Sequence, residues 1–147
     1  MSVIVVGVDG SEPSKAALRW ALEEARLRGA TLRAVHAWAV PAVYVHGSAF
    51  PPELVDRDLI RERAEESLDA VVTEVAGASP AVAIESATGE GPPGRVLVEA
   101  ARDADLLVVG SRGHGGFAGL LLGSVSQQCA QHAECAVVIV RTPHGSA

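Results

Sequence analysis

The sequence predicts an α/β fold: a single three-layer, doubly wound domain with a five-stranded parallel sheet and helices on both faces. Two observations carry this. Short β-branched apolar runs alternate with amphipathic segments along all 147 residues, the pattern of repeated strand–helix units. The runs Val3–Asp9 and Asp105–Gly110 are apolar nearly throughout, as strands covered on both faces are. Both runs also end in the same way, "VVGVDG" and "VVGSRG", with two glycines three residues apart. In a doubly wound sheet, ligands lie beyond the C-terminal strand ends where the strand order reverses. These two glycine turns are therefore candidates for opposite walls of one crevice, or else two ordinary tight turns.

The elements follow in order. Val3–Asp9 is the first strand. Ser11 caps the next helix, Pro13 suits its first turn, and Gly29 closes it behind an apolar face of Ala17, Leu18, Ala21, Leu22 and Ala25. Thr31–Trp38 is the second strand. Residues 39–52, with Pro41, Gly47, Pro51 and Pro52, read as a loop. Glu53–Ala76 is a long amphipathic helix with Leu54, Ile60, Ala64, Leu68, Val71, Val72 and Val75 at helical spacing. Ala81–Ala87 is the third strand, and Pro92 and Pro93 open a helix running to Arg102. Asp105–Gly110, Ser124–Ala133 and Ala136–Arg141 complete the pattern as strand, helix and strand. No domain boundary or long linker interrupts residues 1–147.

Composition narrows the function. The net charge of −6 argues against a general binder of nucleic acid or anionic membrane, both of which need a basic surface. Aromatic residues are only 3% of the chain, so base-stacking platforms are not expected. The two cysteines, Cys129 and Cys135, form no disulfide framework and suit a reducing cytoplasm. With His132 they do not make a convincing metal site, because a tetrahedral site asks for four ligands. The opening "MSVIVVGVDG" reads as a buried strand, not as a signal peptide. His36, within a strand, reads as a packed core histidine.

The segment "GSRGHGGFAGLLLGS", Gly110–Ser124, holds six glycines between a strand and a helix. In that setting backbone N–H groups converge on an anion and the helix N-terminus adds partial positive charge. Ser124 offers a hydroxyl to the same anion, and phosphate is the natural candidate. The loop is not a Walker A motif, since Lys15 is the only lysine in the chain, and it is not the G-x-G-x-x-G of dinucleotide-binding folds. No nucleophile–base arrangement stands out by order or motif.

Gly110, Gly113, Gly123 and Ser124 satisfy the spacing G-x2-G-x9-G-S. With "VVGVDGS", "LRAVHAW", "GPP", "ADLLVVGSRG" and "LLGSVSQQCAQHAECAVVIVR", this resembles the ATP-binding branch of the universal stress protein family over nearly the whole chain. The resemblance implies the strand order 3-2-1-4-5 and ATP in the crevice between strands one and four, with room for Mg²⁺ beside the phosphates. It implies that Asp9 holds the ribose hydroxyls or the adenine edge, that Gly7 and Val8 line the base pocket, and that Ala37 touches adenine through its backbone. Gly110 would lie near the ribose. Gly113, Gly123, Ser124, Val125 and Ser126 would surround the phosphates, with Arg112, His114, Gly115 and Gly116 shaping the loop. A homodimer through the edge strand Ala136–Arg141 is also implied, since an uncovered apolar edge invites pairing.

The function expected is a cytoplasmic, nucleotide-dependent stress-response switch that works through a protein partner of unknown identity. It would have little or no ATP hydrolysis, because no lysine for the γ-phosphate, no arginine finger and no base for water is evident. The alternatives are a slow ATPase or nucleotidyl-transfer enzyme, a nucleotide-independent interaction dimer, and a cyclic AMP binder.

Overall fold

The computed structural model describes residues 2–40, 44–45, 48–49, 56–77, 80–112 and 122–142. Its centre is a five-stranded parallel sheet. Strand β1 (Val3–Gly7) lies in the middle, flanked by β2 (Thr31–Trp38) on one side and β6 (Leu106–Gly110) on the other. Beyond β2 lies β5 (Ile84–Glu90), and beyond β6 lies β7 (Ala136–Val140). The order β5-β2-β1-β6-β7 is the expected 3-2-1-4-5, with every pairing parallel. β7 ends the sheet, and among the described residues no strand pairs with its outer edge.

The period of two along each strand sorts side chains into two cores. Ile4, Val6, Leu32, Ala34, Leu106 and Val108 point to one face, where α1 (Glu12–Arg28) and α2 (Arg57–Ala76) cover them with Ala17, Leu18, Ala21, Ala25 and Leu68. Val5, Val35, Leu107 and Val109 point to the other, under α3 (Pro93–Ala100) and α4 (Ser124–His132), which supply Leu97 and Cys129. The central strand is apolar at every position because it serves both cores at once.

Helix α1 has the ends that its sequence predicts. The Ser11 hydroxyl accepts the Ser14 N–H, and Gly29 takes the left-handed conformation, φ 65°, that a closing glycine permits. At the opposite pole from the C-terminal strand ends, the Asp105 carboxylate accepts the Val3 N–H at 2.8 Å and the Ser2 hydroxyl at 3.2 Å. These bonds, the backbone one foremost, hold the Asp105 carboxyl below the ordinary carboxylate range.

Several boundaries differ from the expectation. The third sheet strand runs over Ile84–Glu90, not Ala81–Ala87, because β2 pairs with it along its whole length out to Trp38 opposite Glu90. The "TGE" at its end looks like a turn, but Gly89 is covered by Val96 of α3: a Cβ built there would lie 2.7 Å from Val96 Cγ1. The loop assigned to residues 39–52 contains a two-stranded antiparallel ladder, β3 (Tyr44–Val45) and β4 (Ser48–Ala49). The pairing of Val45 with Ser48 leaves a two-residue connection, the commonest length for a hairpin. Helix α2 starts at Arg57, where Asp56 caps it by accepting the Leu59 N–H at 3.0 Å; the first residues of the expected Glu53 start lie outside the described residues. β1 ends at Gly7, two residues before Asp9, and α3 ends at Ala100.

Gly110 sits where the end of β6 meets the first turn of α1. A Cβ there would stand 2.8 Å from the Pro13 carbonyl oxygen and 2.9 Å from its carbon. Gly7 is similarly covered, but by the tip of Leu97, at 2.7 Å. Backbone cannot rotate away and a leucine methyl can. Gly110→Ala should therefore lower stability by about 1–3 kcal/mol, and by more than Gly7→Ala, in urea unfolding.

A second expectation concerns acid. A carboxyl whose folded pKa is depressed adds stability above its unfolded pKa and loses it as pH falls through the folded one. Asp105→Asn should flatten the loss of stability below about pH 4, measured as the unfolding midpoint against pH, while the wild-type midpoint falls in that window.

Candidate functional site

The strand order reverses beside β1. Chain leaving β1 turns to one face through α1, and chain leaving its neighbour β6 turns to the other through α4, so the connections part above the C-terminal ends of these two paired strands. A cavity of about 360 Å³ opens there. Its walls come from Gly7, Val8 and Asp9 after β1, Val35, His36 and Ala37 at β2, and Val109, Gly110 and Arg112 at β6. Pro93 and Leu97 of α3, Ser14 of α1, and Gly123, Ser124, Val125 and Ser126 at the start of α4 complete it.

Every described residue expected at the site is in this lining: Gly7, Val8, Asp9, Ala37, Gly110, Arg112, Gly123, Ser124, Val125 and Ser126. Gly113, His114, Gly115 and Gly116 lie outside the described residues. Sequence reading missed Ser14, Val35, Pro93, Leu97 and Val109. It placed His36 in the core, whereas His36 is half-buried in the cavity wall, its Nδ1 2.8 Å from the Val8 carbonyl oxygen. A carbonyl only accepts, so Nδ1 carries the proton and ties β2 to the residue after β1.

The start of α4, like that of α3 at Pro92, lacks the side-chain cap that α1 and α2 have, among the described residues. Its N-cap is Gly123. The N–H groups of Ser124, Val125 and Ser126 have no acceptor within the helix, and all three residues face the cavity. Two expected phosphate contacts must be narrowed. The Gly123 N–H is taken by the Ser111 carbonyl at 2.7 Å. The Ser126 hydroxyl is buried and turned inward, its proton shared between the Ser111 and Gly123 carbonyls, each at 3.0 Å. What the cavity receives from Ser126 is a backbone N–H. Gly110, likewise, lacks a side chain because Pro13 is packed on it, so the close approach there is helix to strand.

The cavity lining thus combines apolar side chains, Val35, Leu97 and Val109, with the backbone donors at the start of α4. Among the described residues, Asp9 is the one carboxylate of the lining. That donor set fits an elongated ligand with a flat apolar head, vicinal hydroxyls and an anionic tail. Among the described residues, no group of three or more His, Cys, Asp or Glu side chains could hold a metal ion.

Comparison with known proteins gives this fold a family. A profile of the universal stress protein family matches residues 1–141. The chain belongs to the universal stress protein family. A universal stress protein of Mycobacterium tuberculosis is 38% identical over 142 residues, 97% of this chain and 49% of its own length. The chain therefore spans about half the length of the curated relatives it matches. Among solved structures, a universal stress protein in complex with cAMP is 30% identical with a TM-score of 0.65, covering 97% of this chain and 98% of that one. The protein UspA from Lactobacillus plantarum superimposes with a TM-score of 0.76 at 24% identity over 95% and 97% of the two chains, a likeness of fold.

Cys129, on the inner face of α4, is fully buried, and burial pushes its thiol up to about 11. Cys135, half-buried at the entry to β7, is also raised by burial. Only the thiolate reacts at a useful rate. At about pH 7.5, an aromatic disulfide reagent should label Cys135 slowly and Cys129 only at the rate of unfolding; prompt labelling of both in the native protein would contradict the packing of α4.

Proposed function

We propose that this universal stress protein binds ATP in the cavity and uses it as a conformational or partner-selecting switch, with little or no hydrolysis. The observation that carries the reading is the start of α4, which no side chain caps among the described residues and whose N–H groups open on the same cavity as Asp9 and Leu97. A phosphate chain accepts the Ser124–Ser126 N–H groups in place of the missing cap. Asp9 accepts from the ribose hydroxyls, the Ala37 backbone meets the adenine edge, and Leu97 and Val109 cover its faces. Mg²⁺ would accompany the phosphates and offset their charge.

The chemistry of the lining supports binding without turnover. Lys15 is held between Glu74 at 3.0 Å and Glu12 at 3.6 Å and is not part of the cavity wall. Among the described residues, Arg112 is the one lysine or arginine that lines it. Phosphoryl transfer depends on positioned cations and an oriented nucleophile, and one arginine is a thin provision for both. A binding protein becomes a switch when its ligand prefers one of two states. The outer edge of β7, with which no strand pairs among the described residues, serves a homodimer in this reading, in a cytoplasmic setting.

A second reading is favoured by one finding: the relative at 30% identity was solved with cAMP. Cyclic AMP would use the same base and ribose walls and place its single phosphate at the start of α4. Calorimetric titration of nucleotide-stripped protein with ATP and Mg²⁺, and with cyclic AMP in parallel, separates the two. Saturable ATP binding that is tighter than cyclic AMP binding is expected. The reverse order would move the ligand to cyclic AMP, and no binding of either by folded protein would overturn the nucleotide reading. Gly123→Val, which crowds the start of α4, should weaken ATP by about tenfold or more with the unfolding midpoint little changed.

A further inference from the structure

Asp9, the single carboxylate of the described cavity lining, is held by a residue that does not line the cavity itself. The Ser11 N–H donates to Asp9 Oδ1 at 2.9 Å, and the Ser11 hydroxyl donates to the same oxygen. That hydroxyl also accepts the Ser14 N–H at 3.3 Å, as the cap of α1. Ser14 closes the circuit: its hydroxyl accepts the Asp9 N–H at 3.2 Å and donates to the Ser11 carbonyl at 3.0 Å. Both serines are buried, while Asp9 is exposed.

Backbone and side chain of Asp9 are therefore fixed separately, the first by Ser14 and the second by Ser11. A turn after a strand needs only the bond from the Ser11 N–H to the carboxylate. The bond from the hydroxyl is additional, and it restrains rotation of the carboxylate about its last torsion. A hydroxyl donates and accepts at once, so Ser11 caps the helix and aims the acid with the same atom.

We infer that Ser11 is a positioning residue whose hydroxyl aims the Asp9 carboxylate at the sugar, so that the cavity separates a ribonucleotide from its deoxy counterpart. The inference rests on the nucleotide reading above. A carboxylate that must meet two neighbouring hydroxyls needs a set direction. One left free to turn must be ordered by the ligand, which takes back part of the gain.

The test is the ratio of affinities for ATP and 2′-deoxy-ATP in the wild type, Ser11→Gly and Ser11→Thr. Glycine is an acceptable helix cap, so Ser11→Gly removes the hydroxyl with little harm to α1, and a thermal unfolding curve checks that the fold is kept. The wild type is expected to prefer ATP by about tenfold or more, the effect of one charge-assisted hydrogen bond. Ser11→Gly should bind the two nucleotides nearly alike, and Ser11→Thr should restore the preference. A cap that is only structural would weaken both nucleotides together and leave the ratio unchanged; that result overturns the inference and leaves the nucleotide site standing. A wild type that binds ATP and 2′-deoxy-ATP equally does the same. A wild type that binds neither overturns the nucleotide reading and the inference with it.

Discussion

The reversal of strand order beside β1 sets the terms for everything else in this protein. The connections through α1 and α3 run to opposite sides of the sheet, so no helix can cover the top of both β1 and β6. The gap they leave is the cavity, and its depth is fixed by how closely the flanking elements approach. On one side the backbone of Pro13 presses on Gly110; on the other Leu97 presses on Gly7. Side chains at either glycine would spread the walls. The packing that shapes the cavity is thus the packing that joins each helix to the sheet, and site and core cannot be varied independently.

Upon that frame the chain leaves two kinds of helix start. α1 and α2 are closed by Ser11 and Asp56, while α4 begins at a glycine with no side-chain cap among the described residues. An acidic protein can attract an anion only by local means. The start of α4 supplies them from backbone, which carries partial positive charge without a lysine. The Ser126 hydroxyl and the Gly123 N–H, both bound to Ser111, hold this start in place below the cavity. They act as its footing, and the N–H groups above them face the cavity.

Much of this was legible in the sequence because it follows from local pattern. The unbroken apolar runs gave strands covered on both faces, and the two glycine turns marked the strand ends that border the cavity. The spacing from Gly110 to Ser124 gave the family, and with it the strand order. What escaped is what one element imposes on another. The alternation in Ala81–Ala87 is real, but the strand slides to Ile84–Glu90 to pair with the length of β2. Gly110 reads as room for a ligand until Pro13 is seen against it. His36 reads as core because its partner, the Val8 carbonyl, is carried far off in the sequence, on the turn that follows β1. Leu97 and Pro93 reach the cavity through the placement of α3, for which the sequence offers no separate signal.

The most direct test of the account is an amide ¹H–¹⁵N spectrum recorded while ATP and Mg²⁺ are added. The account places phosphate at the start of α4, so the Ser124, Val125 and Ser126 amides should shift most, with Val8 and Asp9 moving at the same ligand concentrations. Arg33, at the other pole of the sheet, where it contacts Ala100 and Asp103, should stay in place. Saturating binding that leaves the Ser124–Ser126 amides unmoved, or that shifts another surface, would contradict it.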